Sequence, residues 1–325
     1  MIGIGVDIGG TFVKFFVLND KQEVLEHLKV ETDYSNGPDG FVAQIGNFIN
    51  QIRQKYAPQP VSVAIGAPGD VDPVTGVLRY NPNLKFDHVD NWPLAQQIYQ
   101  QTGILPALVN DATLAAWGVY ESLLHRQGTN VLVVTLGTGV GGGLILNQEL
   151  YQGSHGTAGE LGHMKIADPA TGPLCGCGAR SCLEAFVGTI GIKRRVREAI
   201  AQHPQSILAK LLQGRDDFKI ALVSQAAQQG CPEALKIWQD TGRYLGIGIA
   251  NAVLLLDLDT VVLTGGISGA ATYFMPALQD VLNHQQIKTP FERLKLVVSK
   301  DPDMGGTGSA LYALHQALKD VSPCK

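Results

Sequence analysis

Two stretches of the chain repeat one another. Val6 to Asp20 reads VDIGGTFVKFFVLND, and Val134 to Gln148 reads VTLGTGVGGGLILNQ. Set one above the other without gaps, they match at Val6/Val134, Gly9/Gly137, Leu18/Leu146 and Asn19/Asn147. Each has an apolar strand, a Gly/Thr-rich turn, a second apolar strand and an Asn-centred turn, which is the pattern of a β-hairpin. Glycines at a hairpin tip can take positive φ and admit a ligand, and successive N–H groups there form an anion-binding concavity. One Gly-rich hairpin is a weak sign. Two copies of one pattern imply two like lobes, each offering a phosphate loop to a shared cleft.

The rest of the chain extends this picture. Strand-like runs occupy 2–8, 12–18, 61–66, 106–109, 131–136, 142–146, 261–264 and 295–298, with helical patterns between them. Ala112, Ala115, Ala116, Val119 and Leu123 form one apolar helix stripe, with Asp111 expected at its N-cap. A second stripe runs through Ala310, Leu311, Leu314, Ala317 and Leu318, and a long helix is expected over about 232–258. The predicted division is a smaller lobe of 1–110 plus a C-terminal helix of about 307–325, and a larger lobe of 111–306.

Composition narrows the function classes. The chain has 325 residues, 45% hydrophobic and 17% charged, with a net charge of −4. That acidic balance argues against nucleic-acid binding, and KRRVR at 193–197 reads as a solvated helix face. The start, MIGIGVDIGG, lacks a basic n-region and carries Asp7 early, so it is not read as a signal peptide. The longest apolar run, Tyr244 to Leu256, is interrupted by Asn251 and is too short to span a membrane. Five cysteines are few for a disulfide scaffold. A cytoplasmic protein is expected.

Three clusters carry candidate chemistry. In LVNDATLAA (Leu108–Ala116) an Asn-Asp pair lies between a strand end and a helix start, where ligands of open α/β sheets bind. Asp111 is there either a general base or a helix cap. GTAGELGH (Gly156–His163) is either a plain surface loop or a loop in which Glu160 offers two acceptor oxygens for hydroxyls. In LCGCGARSCLEAF (Leu174–Phe186), Cys175, Cys177 and Cys182 supply three thiolates, and His163 can be the fourth ligand of a structural Cys₃His zinc site. Adjacent C-x-C cannot readily close its own disulfide, and no thioredoxin-like C-x-x-C is present. Zinc would tie the loop of Glu160 to the loop of Glu184, fixing both carboxylates.

Together the motifs DIGGT (7–11), GAPGDVD (66–72), NPNL (81–84), VND (109–111), LGTGVGGG (136–143), GELGH (159–163), CGCGARSCLE (175–184) and LTGGIS (263–268) resemble those of the ROK sugar kinases, over nearly the whole chain. The chain differs from the usual pattern in having Ser181 where glycine is frequent, Thr264 before Gly265 and Gly266, and a slightly longer segment between His163 and Cys175. Asn91–Trp92 resembles, at altered spacing, a tryptophan that follows Pro-Asn-Leu in family glucokinases.

The resemblance implies an α/β fold of two ribonuclease-H-like (actin/hexokinase-like) lobes with a cleft between them. It implies ATP-dependent phosphorylation of a hexose, most simply glucose, with Asp111 as catalytic base. Gly66, Pro68, Gly69, Asn83, Asn110, Asp111, Glu160, His163 and Glu184 would meet the sugar. Asp7, Gly9, Gly10, Thr11, Lys14, Gly137, Thr138, Gly139, Gly265 and Gly266 would serve the nucleotide, Asp7 orienting Mg²⁺ through water. His163, Cys175, Cys177 and Cys182 would bind zinc. The implied partners are a sugar and ATP, with no nucleic acid or membrane, in a homodimer or homotetramer. The main rivals are kinases for N-acetylglucosamine, N-acetylmannosamine or fructose, and a non-catalytic sugar sensor. Repressors of the family carry a helix-turn-helix ahead of the sugar domain; DIGGT begins here at residue 7, so a kinase is the expectation.

Overall fold

The computed structural model describes residues 1–81, 84–86, 89–215, 217–299 and 304–321. Asn83, named above, lies outside them. The elements in chain order are β1 (Ile2–Ile8), β2 (Phe12–Asn19), β3 (Val24–Glu31), α1 (Gly37–Lys55), β4 (Val61–Ala67), β5 (Asp70–Asp72), β6 (Val77–Tyr80), α2 (Leu94–Thr102), β7 (Ala107–Asn110) and α3 (Asp111–Ser122). There follow β8 (Val131–Leu136), β9 (Val140–Leu146), β10 (Glu149–Tyr151), α4 (Glu184–Val187), α5 (Thr189–Gln202), α6 (Ile207–Leu212), α7 (Ala221–Gln228) and α8 (Pro232–Leu256). The last are β11 (Thr260–Thr264), α9 (Ala271–Asn283), α10 (Thr289–Glu292), β12 (Lys295–Val298) and α11 (Met304–Val321).

The repeated sequence becomes a repeated topology. One sheet has the order β3-β2-β1-β4-β7 and the other β10-β9-β8-β11-β12. In the first, β1 is antiparallel to β2 and parallel to β4, which is parallel to β7. In the second, β11 is parallel to both β8 and β12, and β9 is antiparallel to β10. A small sheet pairs β5 with β6.

The chain divides into two compact units: Met1–Gln127, Gly143–Gly159 and Asp303–Lys325 form the first, Gly128–Gly142 and Glu160–Pro302 the second. The first break therefore falls after Gln127 rather than at residue 110. The physical reason is α3, which packs on α11 and so stays with the first unit.

In the first unit β1 is covered on both faces. Ile2, Ile4, Val6 and Ile8 are buried in a core shared with Phe41, Ile45 and Ile49, apolar positions that recur at helical spacing on α1. On the opposite face the strand carries Gly3 and Gly5. A Cβ on Gly5 would collide with the Ala310 backbone nitrogen, so α11 rests directly on this strand. In the second unit every residue of β11 is buried, as suits a central parallel strand. Among the described residues no helix is long and apolar enough to cross a membrane.

Candidate active site and metal centre

In the first unit, strand register gathers residues from distant motifs. Asp7 on β1 is level with Gly66 on β4, and Gly66 with Val109 on β7. All three strands run the same way, so DIGGT, GAPGDVD and VND meet at their carboxyl ends, where parallel sheets bind ligands. The cap of α3 lies one residue earlier than expected. The helix begins at Asp111, and Asn110 is its N-cap, accepting the Thr113 N–H at 3.2 Å. The Asn110 amide also donates to the Gly69 carbonyl at 3.1 Å, tying down the loop that carries Pro68. Asp111 accepts the Ala112 N–H at 2.8 Å, and its Cα lies 3.5 Å from the position a Gly66 Cβ would take.

The turn between β1 and β2 holds Gly9, Gly10 and Thr11. Its carbonyls are secured from one segment: Thr32 Oγ1 donates to Gly9, the Tyr34 hydroxyl to Gly10 and the Thr32 N–H to Thr11, at 2.8, 2.7 and 3.0 Å. Lys14 lies opposite Asp7 in the hairpin, 3.6 Å from its carboxylate. Positive φ occurs at neither hairpin tip but at Gly69 (100°) and Gly265 (89°). At Gly139 the need is for space: a Cβ there would collide with the Glu184 carboxylate, whereas one on Gly137 would meet nothing.

Trp92 is a core residue. It is buried, its N–H donates to Gln97 Oε1 at 2.6 Å, and its ring meets Phe41 and Phe86. A cavity of about 200 Å³ beside it is lined by Tyr80, Asn81, Leu84 and Phe86 among others.

In the second unit a cavity of about 510 Å³ is lined by Gly137, Thr138, Thr189, Trp238, Gly266 and Ile267, among others. Gly137 and Thr138 come from the turn between β8 and β9, and Gly266 and Ile267 follow β11. The LGTGVGGG and LTGGIS motifs thus share one hollow. Gly265 turns the chain into it from β11, and Gly139 faces Glu184 instead.

His163, Cys175, Cys177 and Cys182 bring one ligand atom each within 4.8 Å of one another. Cys175 Sγ is 3.8 Å from His163 Nδ1, and Cys177 Sγ is 3.7 Å from Cys182 Sγ. A tetrahedral zinc with Zn–S bonds of about 2.3 Å has ligand–ligand edges of about 3.7 Å. These two edges match that spacing, the four donors all lie within 4.8 Å of one another, and soft thiolates with an imidazole suit zinc. Burial pushes the Cys175 thiol well up, while the Ala179 backbone N–H holds Cys177 below its ordinary value. Lys165, absent from the sequence reading, contacts Cys182 Sγ at 2.7 Å, and this contact raises its pKa. Its ammonium would face the net negative charge of three thiolates around a divalent ion. His163 Nε2 lies 3.8 Å from Glu160, so one ring edge faces the cysteines and the other a carboxylate.

Ser181 explains the usual glycine at its position. It is buried with φ 63°, in the left-handed region that favours glycine. Its hydroxyl donates to the Asp168 carbonyl at 2.6 Å, pinning the extended segment ahead of Cys175.

A model of the ROK family matches residues 3–316. The chain belongs to the ROK family. Among curated ROK relatives it is 32% identical to a glucokinase of Streptomyces coelicolor over 268 residues, 82% of each chain. It is 27% identical to the Escherichia coli DNA-binding transcriptional dual regulator NagC over 91% of this chain and 71% of that protein. Among solved structures, a ROK family glucokinase from Streptomyces griseus in complex with glucose and AMPPNP matches with a TM-score of 0.76 and 28% identity, covering 97% of this chain and all of that one (100%). The fold is thus that of ROK kinases, the α/β actin/hexokinase-like ATPase fold.

Proposed function

We propose that the protein is an ATP-dependent hexose kinase whose preferred acceptor is glucose, giving glucose 6-phosphate. The observation that carries this reading is at the end of β7: Asn110 is the N-cap of α3, which puts Asp111 on the first turn of the helix, beside Gly66 at the carboxyl end of β4. Asp111 is proposed to take the proton of the sugar hydroxyl as its oxygen attacks the γ-phosphorus. The bond to the bridging β-phosphate oxygen breaks, and ADP leaves. Such general-base help accelerates a reaction by about 10²–10⁴-fold; the remainder comes from positioning and charge neutralisation.

The first unit is assigned Asp7, Lys14 and the Gly9–Thr11 turn for Mg·ATP, with Gly66, Pro68, Gly69 and Asn110 shaping the sugar site. The second unit is assigned the Gly137–Gly139 turn for phosphate, Gly265 and Gly266 beside the nucleoside, and Glu160, His163 and Glu184 for sugar hydroxyls. Asn83 keeps its sugar role from the family resemblance alone. Zinc on His163, Cys175, Cys177 and Cys182 supplies no chemistry to the transfer; when bound, it cross-links the two loops that carry Glu160 and Glu184. A homodimer or homotetramer is the assembly proposed by the same resemblance.

The test is ADP release with Mg·ATP against a panel of hexoses and N-acetylhexosamines. Glucose is expected to give the highest kcat/KM; faster turnover of an N-acetylhexosamine or fructose would move the assignment to that sugar. The likeness to NagC supports a second reading, a sugar-responsive regulator. Sugar binding without ADP release from any acceptor would establish that reading in its place.

A further inference from the structure

The Cys/His loop and the turn between β8 and β9 are joined by one short segment. Cys182 is followed by Glu184, the first residue of α4, and by Thr189, the first of α5. Glu184 Oε2 accepts the Val140 N–H at 2.9 Å, and its Oε1 lies 3.2 Å from Cys175 Sγ. One carboxylate therefore lies between a metal-ligand candidate and the base of the turn; because a metal-bound thiolate has no proton to donate to it, the link in the loaded state runs through the short Cys182–Glu184 backbone. Only a glycine at 139 leaves room for it. At the other end of the turn, the Thr189 N–H and hydroxyl both donate to the Gly137 carbonyl, at 3.1 and 2.9 Å.

The segment is itself anchored. Arg195 is half-buried and donates to the Phe186 carbonyl at 2.7 Å, to the Ile237 carbonyl at 2.8 Å and to Thr241 Oγ1 at 2.7 Å. Its guanidinium links α4 to α8, so the segment cannot drift without breaking bonds to buried backbone.

We propose that Glu184 and Thr189 are positioning residues that hold the 137–140 turn in its phosphate-binding shape, and that through Glu184 the Cys/His loop governs nucleotide affinity as well as sugar affinity. This rests on the kinase reading of that turn. It separates two views of the metal. A brace for the sugar-facing carboxylates alone would leave nucleotide binding intact after metal removal. A brace that also grips the turn would not.

The experiment measures the dissociation constant of an unhydrolysable ATP analogue with Mg²⁺, by calorimetry and without sugar. It compares metal-loaded protein with chelator-stripped protein, for wild type, Glu184→Ala, Glu184→Gln and Thr189→Val. Loss of a charge-assisted bond predicts nucleotide binding weaker by about tenfold in Glu184→Ala. Glu184→Gln keeps an acceptor for Val140 and is expected within about threefold of wild type. Thr189→Val, remote from the cysteines, is expected to weaken nucleotide binding by about three- to fivefold and to leave sugar affinity within about twofold. Stripping the metal is expected to weaken nucleotide binding in wild type and to add little in Glu184→Ala. An equal effect of chelation in both proteins, or wild-type nucleotide affinity in Glu184→Ala and Thr189→Val, would overturn the coupling while leaving the kinase reading intact. A wild type that binds no nucleotide even when metal-loaded would overturn both.

Discussion

Asp111 and Asn110 are neighbours with different tasks. The Asn110 side chain is used in both directions, accepting from Thr113 and donating to Gly69. Asn110→Ala is therefore expected to cost about 1 kcal/mol of stability through the lost cap, measurable by urea denaturation, and to loosen the loop of Pro68. Asp111→Ala should leave sugar affinity within a modest factor while kcat falls by about 10²–10⁴-fold; near-normal turnover would remove it from the role of base. The sequence showed that a polar pair closes β7 but not which member would cap, because Asn and Asp are almost equally good caps. Ser181 was visible as a departure from the family pattern, but its reason was not: positive φ and the bond to Asp168 are backbone facts with no composition signature. The bond from Val140 to Glu184 was likewise hidden, since a backbone N–H at a turn carries no side-chain label.

At the level of elements, the strands that could be read from sequence are those with continuous or alternating apolar runs, including β1, β2, β4, β8 and β11. β3 escaped because it lies at the edge of its sheet and is exposed along most of its length, so Val24–Glu31 mixes apolar and charged residues without a clean alternation. The packing of β10 against α11 could not be read at all. There His315 is largely buried, packs at a tilt against Trp117 with ring centres 4.6 Å apart and lies 3.3 Å from Glu149, which also pairs with Lys319 at 2.6 Å. Burial lowers the His315 pKa below its ordinary 6.5. Despite the opposing effect of burial, Lys319 and His315 hold the Glu149 carboxyl below its ordinary 4.5. Both groups bind protons more weakly folded than unfolded. Their contribution is thus present above the unfolded values and is lost as pH falls through the folded ones. The melting temperature is expected to drop as pH falls from neutral, first below 6.5 through His315 and again below 4.5 through Glu149. His315→Phe should flatten the upper part of that profile; an unchanged profile would remove His315 as its source.

At the scale of the whole molecule, the duplication was legible from two hairpins because their glycines and apolar residues occur in the same order. The division between units was less so: α3 follows directly on β7 in sequence, and only its packing on α11 assigns it to the first unit. The Cys/His cluster gives a prediction at this scale. Elemental analysis of the purified protein should find zinc in a single equivalent per chain, and a chelator should lower the melting temperature. A zinc-free preparation with unaltered melting would show that the cluster needs no ion.

The seat of α11 on β1 has a consequence for synthesis. β1 has bare glycine on one face, shaped for a helix that is translated long after it. Until Met304–Val321 emerges, the nascent first unit must wait with the glycine face of β1 uncovered, while the elements of the second unit have all been made. Ribosome-bound chains halted before that helix should therefore yield a protease-resistant second unit and a readily cleaved first one.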